Sequence, residues 1–310
     1  MRRQRGVALI TALLVVAIAT ILAVQLTGRQ HFDIRRTQNV LEHDRAGSFA
    51  LAAEDWARQI LAENRAEGSR AVDHLNEFWA QEIMPPAFEG VRLLIRIEDL
   101  QGRLNINNLT SPGGSDVPAQ IARFRRLLQL HQQNPGIIPA VLDWIDPGVE
   151  VRIPDGAGDD YYTRLDPPYR SANRPMQSVT ELRLVRGVDD ELYRLLAPSL
   201  TALPEAVPIN VNTASASVLR TLADELGEAE AKALLEARPD DGHETVEDFL
   251  RHNALAGRDI DEAGLSVTSN WFRVRVEVRL GNTRMRSESL VHRGERGRTR
   301  TLARRHGFLE

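Results

Sequence analysis

A long run without ionisable side chains stands near the start of the chain and limits what that part can become. Between Val7 and Gly28 there is no Asp, Glu, Lys, Arg or His, whereas Arg2, Arg3 and Arg5 precede the run. At about 1.5 Å per residue, a helix of this length covers the roughly 30 Å hydrocarbon core of a bilayer. The leading positive charges predict a single span with its N-terminus in the cytoplasm.

The run differs from a cleaved secretory signal. Such signals have an apolar stretch of about 7 to 15 residues, followed by a small-x-small cleavage site. Here the apolar stretch is longer, and no such site follows before Arg29 and Gln30. The residues therefore favour a retained anchor, either a plain signal anchor or one that is processed in an unusual place.

The helical pattern continues beyond the anchor. Residues 29–64 contain no proline, and their larger apolar side chains recur at spacings compatible with one helical stripe. These are Ile34, Leu41, Phe49, Leu51, Trp56, Ile60 and Leu61. We expect one helix from Val7 to Asn64, with a membrane half at 7–28, an amphipathic half at 29–64 and Gly47 as a soft point.

Alternation of apolar and polar side chains predicts strands in two separated regions, 65–109 and 266–310. In the first region, 91–98 alternates with one interruption; in the second, 271–280 alternates strictly. Gly281-Asn282 is a typical hairpin turn, after which 283–293 returns as a second strand and the closing arginine-rich segment adds a third. A long helix with these strands predicts an antiparallel sheet packed on the helix.

The region between the two sheet parts has helical patterns. We predict one inserted helical domain at 110–206 and a second helical unit at 207–265. The helical segments are 117–131, 138–146, 178–187, 189–200, 212–227, 228–238 and 245–255. The fold class is therefore α+β, with a long N-terminal helix packed on an antiparallel sheet and a large inserted all-helical domain.

Charge and composition exclude several functions. The net charge is −4 and there is no cysteine, so disulfides and thiolate chemistry are absent. The string INVNTAS, at 209–215, is similar to strings that introduce DNA-binding helical hairpins. However, 201–265 carries fourteen acidic against five basic residues, which would repel phosphate, so we expect no nucleic-acid binding. Its polar residues Asn210, Asn212, Thr213 and Ser215 are expected to cap a helix and tie its entry to the sheet.

An acidic loop spans 143–166. It contains seven carboxylates against two arginines, together with glycines and prolines. Calcium prefers clustered oxygen ligands of this kind, but the spacing is not that of an EF-hand. From the residues alone, a calcium site and a solvated loop both remain open. The chain has no HExxH, no G-x-S-x-G and no glycine-rich phosphate loop, so we predict no enzymatic activity.

Several segments together resemble one family, the minor pseudopilin K of the type II secretion system. They are the basic leader ending at Gly6, the string DPPYRSANRPMQSVTELRLVRG at 166–187, TALP at 201–204 and INVNTAS at 209–215. The resemblance implies that a prepilin peptidase removes residues 1–6 by cutting between Gly6 and Val7, and methylates the new N-terminus. Most pilin-like proteins have glutamate at the fifth position after the cut. This chain has Thr11 there, and the lack of that glutamate resembles pseudopilin K, the subunit at the tip.

The resemblance also implies a function and partners. The protein would be a single-pass inner-membrane protein with a periplasmic C-terminal domain. It would cap the pseudopilus tip with minor pseudopilins I, J and H above the major pseudopilin G. Calcium would bind the acidic loop, although Gly148 and Gly158 stand where relatives have acids. The remaining candidate ligands are Asp146, Glu150, Asp159, Asp160 and Asp166. The alternative is a signal-anchored periplasmic calcium-binding or adaptor domain that never enters a fibre.

Overall fold

The structure is a computed structural model that describes residues 4–67, 72–88, 90–110, 117–148, 150–294 and 296–308. Within these ranges, the side chains of 4–8, 27–29, 31, 66–67 and 308 lie outside the description. The first three residues of the predicted leader are also outside the described residues.

The N-terminal helix α1 is continuous from Gln4 to Glu67 and 64 residues long, which confirms the predicted long helix. It passes through Gly47 without a break, so the expected soft point does not interrupt the hydrogen-bonded ladder. Its segment Leu9–Leu26 has a mean hydropathy of 2.6 and none of it is buried. This segment is consistent with a single membrane anchor.

The chain after α1 contains short helices and both short and long strands. The helices are α2 (Val117–Leu130), α3 (Ile138–Ile145), α4 (Asp159–Tyr162), α5 (Asp190–Leu196), α6 (Ala216–Leu219), α7 (Glu228–Glu236) and α8 (Val246–Leu250). The strands are β1 (Val91–Asp99), β2 (Leu104–Asn105), β3 (Leu200–Thr201), β4 (Ile209–Asn210), β5 (Leu265–Ser266), β6 (Trp271–Leu280), β7 (Thr283–Arg293) and β8 (Thr299–Phe308).

The main sheet has the order β1-β6-β7-β8, and every neighbouring pair is antiparallel. All four strands were expected from the sequence pattern, including the third strand of the C-terminal region. The turn between β6 and β7 contains Gly281 at a positive φ of 55°, which suits glycine. The two short parallel pairs, β2 with β3 and β4 with β5, join segments that are far apart in the sequence.

Two predicted helices differ in the structure. The segment 212–227 is α-helical only at α6, and 178–187 forms a 3₁₀ helix over Val179–Leu184. The Thr221 hydroxyl donates to the Val218 carbonyl at 2.6 Å, and Glu225 has a φ of 57°. These local bonds and the left-handed residue end the helical ladder before Gly227, where the apolar pattern alone had predicted its end.

The face of α1 that packs on the sheet is made mostly of small residues. Ala46, Ala50, Ala53 and Ala57 are buried there, with Ile60 and Leu61 at the far end. The predicted stripe was therefore wrong in part: Ile34, Leu41, Leu51 and Trp56 are 54%, 54%, 42% and 39% exposed. Alanine at helical spacing brings the helix axis close to the sheet, and it leaves the large apolar side chains facing outward.

The helical part of the chain has one hydrophobic core, separate from the core between α1 and the sheet. Its buried side chains come from both predicted units; Phe124, Leu127 and Trp144 belong to the first, and Val218 and Phe249 to the second. The predicted boundary at 206/207 consequently divides residues that pack together. The insertion behaves as one packed body between β1 and β6.

Candidate functional site

The predicted processing site lies in α1. Gly6 and Val7 are within the helix, in the part whose side chains are outside the described residues, so cleavage there stays a prediction. Thr11 lies on the exposed surface of the apolar segment. The structure presents this whole segment to its surroundings, as a membrane anchor or a fibre-packing helix requires.

A buried carboxylate fixes the soluble half of α1 to the sheet. Glu54 is 1% exposed, and both its oxygens accept hydrogen bonds from the Arg304 guanidinium at 2.6 and 2.7 Å. The hydroxyls of Ser289 and Thr301 donate at 2.5 and 2.6 Å. Burial alone would raise the pKa of Glu54, but these hydrogen bonds outweigh it and lower the pKa from 4.5 to about 2.

A buried polar cluster joins the end of α1, the sheet and the helical body; we call it the junction cluster. It contains Asp73, Asp99, Asn210, Ser269 and Arg293. Arg293 is fully buried, forms an ion pair with Asp73 and donates to the Ser269 carbonyl at 2.7 Å. The Asn210 amide donates to Asp99 at 3.1 Å, to Ser269 at 2.9 Å and to the Asp73 carbonyl at 3.1 Å.

Asp99 is the carboxylate of this cluster without a direct cationic partner among the described residues. Its burial raises the pKa to about 6, against hydrogen bonds from Ser269, Thr213 and the Gln101 amide that favour the charged form. The nearby charge of Asp73 adds to the rise. The cluster therefore holds a group that titrates close to neutral pH inside the fold.

The INVNTAS motif places its polar side chains around this cluster. Ser215 caps α6 as predicted, accepting from the Val218 amide at 3.4 Å. Asn212 instead pairs with both backbone groups of His243, at 2.8 and 3.0 Å, and Thr213 donates to Asp99 at 2.5 Å. The motif thus caps a helix through Ser215 and ties the helical body to the sheet through Asn210 and Thr213, as the sequence predicted.

The sequence analysis missed the other members of the junction cluster. Asp73, Asp99, Ser269 and Arg293 lie in different segments, and Asp73 and Arg293 are 220 residues apart. The sequence offered one signal. Asp99 and Arg293 each end a strand, at a position where the alternation of that strand places a buried side chain. Nothing in that pattern identifies which charged residues meet.

The acidic loop is folded around Arg152. Its guanidinium donates to Asp143 at 2.7 Å and to Asp146 at 2.6 Å. Asp143 is buried and also accepts from the Ala157 amide at 2.9 Å. The hydrogen bonds from Arg152 and from the Gly148 amide lower the pKa of Asp146. An arginine side chain therefore supplies the positive charge for the two acids at the end of α3.

The five predicted calcium ligands are spread over the loop: Asp146, Glu150, Asp159, Asp160 and Asp166. Asp159 accepts from the Ser171 amide at 2.9 Å, while Glu150, Asp160 and Asp166 are exposed. In the ranges that the structure describes, no three acidic or histidine side chains are grouped so that they could hold one metal ion. Calcium takes about six to eight oxygen ligands, so this arrangement does not fit the ion, and calcium binding stays a prediction from the sequence.

Gly156 is required by the way the loop folds back on α3. A Cβ atom at this position would lie 2.1 Å from the Asp143 carboxylate and 2.3 Å from the Arg152 carbonyl. Neither contact is possible for a real side chain. The close approach of the backbone to Asp143 explains why glycine stands here.

Comparisons with known proteins agree on one family. Two family models described as type II secretion system protein K match residues 102–205 and 209–268. A Pseudomonas aeruginosa relative named type II secretion system protein K is 37% identical, over 99% of this chain and 94% of its own length. An Aeromonas hydrophila relative of the same name is 33% identical, over 100% of this chain and 99% of its own.

A solved structure is similar in fold. It is the crystal structure of the GspK-GspI-GspJ complex from the type 2 secretion system of enterotoxigenic Escherichia coli. The match has a TM-score of 0.78 and 27% identity, and covers 88% of this chain and 99% of the other. The fold over most of this chain is therefore shared with a protein whose structure was determined in a complex.

Proposed function

We propose that this chain, which belongs to the type II secretion system protein K family and is a minor pseudopilin, caps the tip of the pseudopilus and promotes its assembly. The observation that carries the proposal is the combination of a 64-residue helix with a large helical body inserted between β1 and β6. The helix suits a fibre of packed helices. The body occupies the space that a further subunit would need.

The outward face of α1 supports fibre packing. Leu41 and Leu51, on the soluble half, are 54% and 42% exposed, and the segment Leu9–Leu26 is exposed throughout. A helix that keeps large apolar side chains outward has not buried them within its own fold. Neighbouring pseudopilin helices would cover them and remove that apolar surface from water.

Processing and location follow the family resemblance. We propose that a prepilin peptidase cuts between Gly6 and Val7 and methylates Val7, and that the domain beyond the inner membrane is periplasmic. Mass spectrometry of the mature protein is expected to find an N-methylated Val7. An intact Met1 would contradict this processing and favour a plain signal anchor.

Minor pseudopilins I and J are the first proposed partners, since the similar structure contains proteins named GspI and GspJ. Pseudopilins H and G are further proposed neighbours, with H at the tip and G in the shaft. The family is a structural part of a secretion system, which agrees with the expectation that the chain has no catalytic function.

A labelling experiment tests the tip position. The chain has no natural cysteine, so Ile153→Cys introduces a single thiol at a side chain that is 93% exposed on the acidic loop. After gold labelling of pseudopili assembled with this variant, we expect one label at one end of each fibre. Label distributed along the fibres would contradict capping; unlabelled fibres with intact variant in the membrane would favour the adaptor alternative. The cysteine-free chain is the matched control.

Calcium binding by the 143–166 loop is a separate proposal, because the described side chains do not form the site. A bound ion would need Asp146 or its neighbours to leave their present partners. Calorimetric titration of the metal-free protein with calcium tests the point, and Arg152→Gln, which frees two carboxylates, is expected to bind more tightly than the wild type. If calcium releases or absorbs no heat with either protein, the calcium proposal is contradicted.

A further inference from the structure

Three arginines lie side by side on the outer face of the main sheet; we call them the arginine row. Arg92 of β1 is opposite Arg279 of β6, and Arg279 is opposite Arg284 of β7. All three side chains are exposed. Among the described residues, no carboxylate lies within ion-pair distance of any of them. The row is therefore a local concentration of positive charge.

Elsewhere on the same face, several arginines have acidic partners. Arg286 of β7 pairs with Glu277 of β6 at 2.8 Å, one step further along the strands. Arg275 lies between two carboxylates, with Glu98 at 2.7 Å and Glu288 at 3.0 Å. Described carboxylates therefore lie beside these arginines, whereas none of the described carboxylates lies at the row.

The row is unfavourable for the isolated domain. Side chains directly opposite on neighbouring strands have Cβ atoms about 5 Å apart, and like charges in such pairs are destabilising. The distance across the row is comparable with the roughly 8 Å screening length at physiological salt, so screening does not remove the repulsion. Arg279 and Arg284 are on inner strands, where they are not needed to protect a sheet edge from aggregation.

The position of the row points to a protein partner. It lies at the β6–β7 turn, where Thr283 contacts Glu42 of α1 at 3.2 Å. The sixteen helical residues between Leu26 and Glu42 span about 24 Å, so lipid headgroups at the end of the anchor are too far away. The opposite end of this face borders the chain's own helical body across a cleft of about 510 Å³.

An apolar side chain accompanies the row. Phe88 bridges to Val91 at the start of β1, next to Arg92, and is 64% exposed. Aromatic residues and arginine are enriched in protein interfaces, where lysine and acidic residues are depleted. An exposed aromatic ring next to the arginine row is the composition of a protein interface that contacts carboxylates.

We infer that the arginine row is the docking surface for acidic side chains of the adjacent minor pseudopilin, which reaches the membrane-proximal end of this domain. The inference rests on the proposed function, because only a fibre subunit has such a neighbour. Carboxylates of the partner would neutralise the three guanidiniums, and Arg–carboxylate pairs can be bidentate. Repulsion in the free domain would then favour the assembled state.

The test uses the full chain in detergent and the soluble domains of pseudopilins I and J from the same organism. The double variant Arg279→Gln/Arg284→Gln is expected to weaken binding to I or J at least ten-fold in buffer of physiological salt, and to flatten the salt dependence. The matched control is Arg286→Gln, on the same strand and face, whose charge is already paired; we expect it to change affinity less than three-fold. The double variant should melt no lower than the wild type, because repulsion has been removed.

The outcomes separate the two proposals. If wild type binds neither I nor J, both the proposed function and the docking surface fail. If wild type binds and the double variant binds equally well at every salt concentration, the function stands and the arginine row is overturned. Loss of binding to phosphatidylglycerol vesicles, with binding to I and J unchanged, would also overturn it, in favour of a membrane surface.

Discussion

Replacing Glu54 with glutamine tests how the long helix is held on the sheet. The substitution keeps the size of the side chain and removes its charge. In the folded protein the pKa of Glu54 is lowered from 4.5 to about 2, in spite of its burial. At about 1.4 kcal/mol per unit, the charged form contributes about 3 kcal/mol to stability at neutral pH. Arg304 is 34% exposed and can find water, so we expect Glu54→Gln to cost about 2 to 3 kcal/mol.

The contribution of Glu54 to stability depends on pH in a defined direction. Because the folded pKa of Glu54 lies below the unfolded value, its contribution is complete above about pH 5 and is lost as the pH falls through 4.5 towards 2. Wild type and variant should therefore differ at pH 7 and converge near pH 2. A double variant that also changes Arg304 to methionine should lose little more than Glu54→Gln alone, because the two groups act as a pair.

The assay is urea unfolding of the full chain in detergent, followed by circular dichroism at several pH values. Glu63→Gln is the matched control, since Glu63 lies on the same helix but is exposed and bonded only to Gln59 among the described residues. We expect that control to change the free energy of unfolding by less than about 0.5 kcal/mol. Equal effects of the two substitutions at pH 7, or a gap that does not close at low pH, would refute the reasoning.

Three further substitutions test other parts of the fold by the same assay. Because the pKa of Asp99 is raised to about 6, its contribution favours folding at low pH and is lost as the pH rises from about 4 to 6; Asp99→Asn should flatten this part of the stability profile. Gly156→Ala should destabilise the protein by more than about 2 kcal/mol, because the new Cβ collides with Asp143; a fully stable variant would show that the loop is differently folded. Gly47→Ala should stabilise by about 0.5 to 1 kcal/mol, since α1 is regular there and no atom lies within 4 Å of the added methyl group.

Periodicity was sufficient for the parts of the fold that repeat. The strict alternation in Trp271–Leu280 and the return after Gly281 predicted the two central strands, and the absence of proline predicted the long helix. Periodicity predicted too long a helix around α6, where local hydrogen bonds end the helical ladder. The large apolar residues expected to form one stripe on α1 are mostly exposed, whereas the side that faces the sheet uses Ala46, Ala50, Ala53 and Ala57. Alanine is small and favours helix on buried and exposed faces alike. The spacing of the alanines in the sequence therefore does not show which face of the helix is buried.

Contacts between distant segments explain why the site was predicted only in part. INVNTAS was found by resemblance, but Asp73, whose carbonyl accepts from Asn210, and Arg293, which pairs with Asp73, meet through the fold and through no local spacing. The same holds for Arg152, which was counted in the loop only as a positive charge. Its side chain forms ion pairs with two carboxylates of the loop, Asp143 and Asp146. Because of these ion pairs, the loop in the structure differs from the predicted calcium site.

The polar nature of the junction cluster has a consequence for a tip subunit. An apolar contact between the helical body and the sheet would allow small rotations, since apolar surfaces have no directional bonds. Asn210 and Thr213 of the body donate to the Asp99 carboxylate, and Asn210 also donates to Ser269 and the Asp73 carbonyl, in one relative orientation. A misaligned body would leave the buried Asp99 carboxylate without these donors, at a cost of about 1 to 3 kcal/mol. The cluster therefore fixes the direction in which the body projects from the helix, and the proposed capping of the fibre end depends on that direction.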